Sequence, residues 1–547
     1  MKKICTVSGT EFEITDKELE FYEKMGVPIP SLCPEEQMRN LMSWRNEMKL
    51  YQRPCSSSGK MIISAYTPDT PFPVYDNKIW WGDSWDGKDY EQDFDFSRPF
   101  FEQFEKLLNN VPREGTSVFQ SENCDFNGHI RNSKNCYLNS LVADCEDTHY
   151  SYWMVGDKDC VDCIMTNSSE LCYECVDLEH CYNCVALHEA ANCSDCYFSL
   201  QLRGCTHCIG CTNLVKKDYY IFNKPVSKEE FQEMKEKIFH SYKAFENGKK
   251  FMKKIFAESI HKFANNLKSE NITGDHFFSS KNCHNCFDGH NNEDCSNSIS
   301  LSDCKDVRSA YSAGWPACEL VYNSAVSRGS TNLAFCYYSF FNEGLRYCDS
   351  CSYCKDCFGC IGLKHDQYCI LNKQYTEEEY KKLLPKIIKH MEKTGEWGNF
   401  FPIEMSPFSY NESVAGGYFP LTKQEILSKD WNYREEKQNF KYDGPQYEIS
   451  DKIEDIDDEI LDKILTCETT GKHYKIQKSE LQFYRKMDLP IPRECPDCRH
   501  EKRINLRNPR KLWKRNCDHC DIEIQSTFSP ERPEKVFCEK CYLDTID

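Results

Sequence analysis

Residues 160–211 read CVDCIMTNSSELCYECVDLEHCYNCVALHEAANCSDCYFSLQLRGCTHCIGC, and the cysteine spacing in this stretch decides the architecture. C-x-x-C pairs stand at Cys160/Cys163, Cys172/Cys175, Cys181/Cys184, Cys193/Cys196 and Cys205/Cys208, with Cys211 closing the run. No helical period of apolar residues appears between them. Alternate pairs lie 21 residues apart, Cys160 to Cys181 and Cys172 to Cys193. A repeat of that length with two marked positions suits one rung of a parallel β-helix, in which identical positions stack. Asn or Asp often precedes a central cysteine, as in Asn135-Cys136 and Asp159-Cys160. Both residues tolerate the left-handed conformation of tight corners.

Stacked strands are about 4.8 Å apart, and sulfurs around a tetrahedral zinc lie a little under about 4 Å from one another. One C-x-x-C above another therefore has the reach to supply four thiolates. The candidate quartets are Cys160, Cys163, Cys181, Cys184 and Cys172, Cys175, Cys193, Cys196. The competing reading is a buried ladder of unligated thiols, because free cysteine is often fully inside.

Working outward, the middle of the chain is duplicated. Cys124, Cys136 and Cys145 recur with the same spacing as Cys283, Cys295 and Cys304. Cys205-Thr-His-Cys208-Ile-Gly-Cys211 matches Cys354-Lys-Asp-Cys357-Phe-Gly-Cys360. With Cys348 and Cys351 the second copy has five thiols at three-residue spacing; these five, and Cys205, Cys208 and Cys211 of the first copy, are further candidates for local metal binding. Each copy leads into a helix with a capping-box start, Ser227-x-x-Glu230 and Thr376-x-x-Glu379. Apolar spacing predicts that the first helix runs to Asn247-Gly248 and that a second follows through Phe251, Ile255, Ile260 and Leu267.

The two ends match each other at a constant offset of 462 without a gap. Cys5 falls on Cys467, Phe21-Tyr22 on Phe483-Tyr484, Pro28-Ile29-Pro30 on Pro490-Ile491-Pro492, Cys33 on Cys495 and Cys55 on Cys517. In the C-terminal copy, Cys517-Asp-His-Cys520 and Cys538-Glu-Lys-Cys541 are two knuckles at the spacing of a zinc ribbon. A module this short needs the ion because it cannot bury enough core without it. The N-terminal copy has Ser58, Asp76 and Ile79 where Cys520, Cys538 and Cys541 stand, and Glu36 where Cys498 stands. Its Phe72, Tyr75, Trp80, Trp81 and Trp85 are expected to replace metal by aromatic burial.

The stretch from Cys467 through Cys495-Pro-Asp-Cys498-Arg499, with Phe483-Tyr484 between, resembles the probable zinc-ribbon family. That family pattern opens with C-x-x-C; here Thr470 stands in place of the second cysteine, and His473 is the candidate that completes the ligand set. By layout the whole chain resembles a group of cysteine-rich bacterial proteins with ribbon-like ends, which implies architecture and no activity.

Thirty-six cysteines among 547 residues, with a polar start and no long apolar stretch, point to a cytoplasmic protein that binds metal and away from a secreted disulfide framework. The net charge of -19 excludes nucleic-acid binding by the surface at large. One basic run remains, with Arg507, Arg510, Lys511, Trp513, Lys514 and Arg515 as candidate RNA contacts. Its simpler reading is a solvated segment paired with the acidic residues 448–462.

The expected fold is mostly β with helical segments: two tandem parallel β-helix-like cysteine-rich solenoids, each followed by helices, flanked by duplicated zinc-ribbon-like modules. The boundaries are 1–95 for the degenerate N-terminal module, 96–117 for a linker, 118–224 for the first solenoid and 225–270 for a helical segment. The second solenoid takes 271–374, a helix with aromatic-rich loops 375–445, and the acidic linker with the C-terminal ribbon 446–547. The expected function is a non-catalytic zinc-binding scaffold or adaptor, with several zinc ions per chain and a protein or macromolecular assembly as partner. A second copy of the chain is another candidate partner; no membrane contact is expected. The alternatives are an RNA- or ribosome-associated factor acting through the C-terminal ribbon, and a metal-storage, iron–sulfur or thiol-redox protein. Glycine-rich phosphate loops, His-Glu-x-x-His and nucleophile elbows are all missing from the sequence.

Overall fold

The computed structural model describes residues 1–314, 316–435, 442 and 444–546. The chain is mixed, with strands concentrated in the two cysteine-rich regions and helices between and around them. The largest sheet has 13 strands, all but one of them within 117–221.

A three-residue rule governs the first cysteine-rich region and, with a slip after Gly274 and another after Ser312, the second. From Asn132 to Phe222 every third residue has φ between +47° and +69°. Such angles are uncommon outside glycine, and Asn and Asp fill many of these places, as the corner reading expects. The residue after each left-handed one points inward, so Cys160, Cys163, Cys172 and Cys175 are all fully buried. In the first region pairing is parallel with a register of 12 residues: Cys160 lies beside Cys172, Cys172 beside Cys184, and Cys196 beside Cys208. The second region keeps that register between Glu319 and Thr331 but departs from it where Glu270 lies beside Lys281 and Cys304 beside Cys318. The expected 21-residue rung is therefore corrected. All inward positions share one phase of the triplet, so any multiple of three mimics a period, and the 21-residue spacing is such a coincidence.

Helix Lys228–Phe239 begins at the Ser227 capping box and helix Glu377–Thr394 at the Thr376 box. The break between the first pair of helices differs from expectation. Ser241 accepts the Ala244 N–H and starts a helix that runs from Tyr242 to Glu258, straight through Asn247-Gly248. The segment 96–117 contains helix Phe100–Asn110, whose Phe100, Phe104, Leu107 and Leu108 are buried. Residues 436–441 and 443, inside the 375–445 segment, lie outside the described residues.

The 462-residue offset is reproduced bond by bond. Helix Asp16–Met25 ends at left-handed Gly26, and helix Lys478–Met487 ends at left-handed Asp488. Ser56 N–H donates to Val74 O at 2.8 Å, and Asp518 N–H to Val536 O at 3.0 Å. Each terminal module divides its contacts between the two cysteine-rich regions. Val74–Tyr75 pairs in parallel with Arg113–Glu114, which leads into the first region, while Tyr22 packs on Tyr322 of the second at 5.1 Å. In mirror fashion, Lys535–Phe537 pairs with Ile260–Lys262, which leads into the second region, while Tyr484 packs on Tyr173 of the first at 5.7 Å.

Candidate metal centre

The C-terminal hairpin, Trp513–Asn516 with Glu523–Ser526, carries the first knuckle at its tip. Cys517 N–H donates to Ile522 O at 2.9 Å and Asp521 N–H returns to Cys517 O at 3.0 Å, with Asp521 left-handed to close the turn. The second knuckle follows strand Lys535–Phe537, where Cys538 N–H donates to Cys517 Sγ at 3.2 Å, and helix Glu539–Ile546 holds Cys541. The sulfurs of Cys517, Cys520, Cys538 and Cys541 all lie within 4.8 Å of one another, and Cys520 and Cys538 are 3.7 Å apart. That spacing fits thiolates around one tetrahedral ion. Burial raises the Cys517 thiol, but the backbone N–H groups of Cys538, Cys520 and His519 outweigh it and bring it down to about 6. Burial and the neighbouring thiols push Cys541 up to about 12. The Cys517 sulfur is thus ready to bind as a thiolate at neutral pH, whereas Cys541 must release its proton to solvent when an ion binds.

A second group joins Cys467, Cys495 and Cys498. Cys467 and Cys498 are 3.7 Å apart. The expected fourth ligand is not His473, whose Nδ1 lies 3.3 Å from the Thr466 hydroxyl. Thr470 takes that corner, with Oγ1 3.7 Å from Cys498 and 3.9 Å from Cys495. The physical reason is the knuckle itself: Cys467 N–H to Lys472 O and Gly471 N–H to Cys467 O aim position 470 at the sulfurs and leave position 473 on the departing strand. The signal was in the sequence, since Thr470 occupies the second cysteine position of the knuckle.

The N-terminal copy keeps the turn and lacks the ligands. Cys55 Sγ accepts the Asp76 N–H at 3.2 Å, the same contact that Cys517 makes with Cys538. Ser8 lies 3.7 Å from Cys33, as Thr470 lies beside Cys495 and Cys498. Glu36 bonds Arg39 at 2.7 Å. Trp80 is 2% exposed, and its neighbours Trp81 and Trp85 join it around the ammonium of Lys364, at 4.5, 5.5 and 4.7 Å from the three ring centres. Phe72 is buried as well. Aromatic packing around a lysine thus stands where the partner copy has thiolates.

Among the described residues, no central cysteines meet in a group of three or more within 4.8 Å. The quartets Cys160/Cys163/Cys181/Cys184 and Cys172/Cys175/Cys193/Cys196 are therefore corrected, because the 12-residue register stacks Cys160 on Cys172 and leaves Cys181 elsewhere. The runs Cys205/Cys208/Cys211 and Cys348/Cys351/Cys354/Cys357/Cys360 do not converge either. These thiols form hydrogen-bonded ladders. Cys160, Cys184 and Cys196 each donate to the carbonyl two residues before, at 3.3 Å. Burial pushes Cys160, Cys175 and Cys184 well up, so each remains a protonated donor.

The basic run is mostly occupied internally. Arg507 bonds Asp177 at 2.9 Å and Asp288 at 2.7 Å, and Arg510 bonds Asp288 at 2.6 Å, with 8% and 5% of their side chains exposed. Arg515 pairs with Asp518, Lys514 with Glu523 and Lys511 with Glu35, and Lys511 lies over the half-buried Trp513 ring. The acidic segment pairs elsewhere, Asp451 with Arg493 and Asp458 with Arg485. No helix of the described residues is long and apolar enough to cross a membrane. No family model matches the chain, and no curated protein matches it.

Proposed function

We propose that this chain is a non-catalytic, zinc-stabilised scaffold that presents two rigid solenoids to a protein or macromolecular assembly. In this reading each cysteine-rich region is a four-sided parallel β-helix with three residues per side. The 12-residue parallel register, the left-handed residue at every third position and the buried thiol ladders support it. Zinc is the fitting ion at the Cys517 quartet, because four cysteine sulfurs within 4.8 Å of one another are the donor set of a structural zinc site. The outer faces carry regular columns, such as Glu122, Lys134, Glu146 and Lys158 bridged in parallel, which offer a repeating surface to a partner.

The observation that carries the proposal is the pair of clamps. Glu47 of the N-terminal module accepts the hydroxyls of Tyr152, in the first region, and Tyr311, in the second. Arg507 of the C-terminal module ties Asp177 in the first region to Asp288 in the second. Buried polar groups used this way hold two elongated units in one fixed relation, the requirement of a scaffold.

The test is metal analysis of the full chain purified without metal-affinity resin, followed by chelation with hydrogen exchange. The expected result is colourless protein with one or two zinc equivalents, and chelation that exposes residues 513–546 before the cysteine-rich regions. Brown protein carrying iron and sulfide, or metal in large labile excess, would sink it in favour of cluster chemistry or storage.

A further inference from the structure

Cys467, Cys495 and Cys498 are buried, at 1%, 4% and 6% exposure, while Thr470 at the fourth corner is exposed. The Thr470 hydroxyl stands where a fourth sulfur would stand. The knuckle hydrogen bonds around it, Cys467 N–H to Lys472 O at 2.8 Å and Gly471 N–H to Cys467 O at 2.9 Å, match those around Cys517. A threonine hydroxyl is neutral and deprotonates far above neutral pH, so it is a weak donor beside three thiolates. A bound zinc there would have three firm ligands and one exchangeable position facing solvent, the arrangement that separates open sites from closed ones.

We propose that Cys467, Cys495 and Cys498 form a three-thiolate zinc centre whose fourth position, at Thr470, takes a thiolate from outside the chain. A soft donor is preferred there because the other three are soft. The exchange is not a redox step: the incoming thiol loses its proton to solvent, its sulfur bonds the metal, and the water or threonine oxygen leaves. This inference rests on the reading of the ribbon modules as metal-binding, and the Cys517 quartet serves as the internal control.

The experiment replaces zinc by cobalt(II) in the full chain and reads thiolate-to-metal charge-transfer absorbance while free cysteine is added. Wild type is expected to begin with seven coordinated thiolates per chain, because the two sulfur groups hold four and three cysteines. It is expected to gain one thiolate's worth of absorbance on titration, with release of one proton. Thr470→Cys begins one thiolate higher and ignores added cysteine, whereas Thr470→Ala, a change at an exposed position, keeps the wild-type response. A wild-type signal of four thiolates, or seven that free cysteine leaves unchanged, overturns the inference while the quartet stands. No charge-transfer signal at all overturns both.

Discussion

Arg507 donates to Asp288 at 2.7 Å across the boundary between the two cysteine-rich regions, while its Nε holds Asp177 on the near side. All three side chains are nearly buried, so the pairing is unscreened and each charge depends on the others. Removing one partner from a buried pair costs about 3–5 kcal/mol, because an uncompensated charge stays inside. Asp288→Asn and Arg507→Met are each expected to lose stability on that scale in denaturant melts. The double variant should recover part of it, and additive losses would show that the two groups are not coupled.

Acid should weaken the fold in two stages with distinct causes. Burial lowers His149 and His188 to about 4, so the unfolded chain takes up protons first as the pH falls from about 6.5, and stability drops between those values. Burial raises Asp288, but Arg507 and Arg510 hold its carboxyl well below the usual range. Its contribution is present above about 4 and is lost as the pH falls further. His188→Gln is expected to flatten the upper stage by an amount on the order of 3 kcal/mol. Asp288→Asn flattens only the lower one. Urea melts from pH 7 to pH 3 check both, and a wild-type curve level between pH 6.5 and 4 would exclude the histidine cause.

Equivalent knuckles should respond unequally to the same change. Cys520→Ser removes a quartet sulfur and is expected to lower zinc content by one equivalent and the melting temperature with it. Cys55→Ser, in the copy packed by tryptophans, should leave zinc content unchanged. Elemental analysis beside calorimetry decides the matter. Equal zinc loss in both variants would contradict the reading of the N-terminal copy as metal-free.

Central thiols are expected to count as packing. Cys172→Ala removes a fully buried sulfur from the ladder and should cost about 0.5–1.5 kcal/mol, the scale of a small core deletion. Zinc content should stay constant. A fall in bound metal would return the central cysteines to the ligand set.

The duplication of the ends was legible in full, because the offset of 462 runs without a gap and preserves the knuckle and Pro-Ile-Pro positions, and where a turn residue differs, as Gly26 against Asp488, the left-handed conformation is kept. The Cys517 quartet was legible because its knuckles are local and the hairpin between them only has to close. The register of the cysteine-rich regions was not. Inward positions recur every third residue, so cysteine spacing reports the phase of the triplet and is silent on how many triplets separate stacked neighbours. The partners of Arg507 were hidden for another reason. The acids at 448–462 are close in sequence, but the chain folds so that Asp177 and Asp288, far away in sequence, arrive beside it.

The strand that leads into the second cysteine-rich region, Ile260–Lys262, waits for a partner made about 270 residues later, Lys535–Phe537. Its N-terminal counterpart, Arg113–Glu114, finds Val74–Tyr75 already synthesised. During translation the first half can therefore close its lead-in contact early, whereas the second half remains open until the closing knuckle has left the ribosome. Non-local contacts of this kind slow assembly and leave surfaces exposed in the meantime. Chains stalled before residue 535 should be the ones that holdase chaperones bind longest.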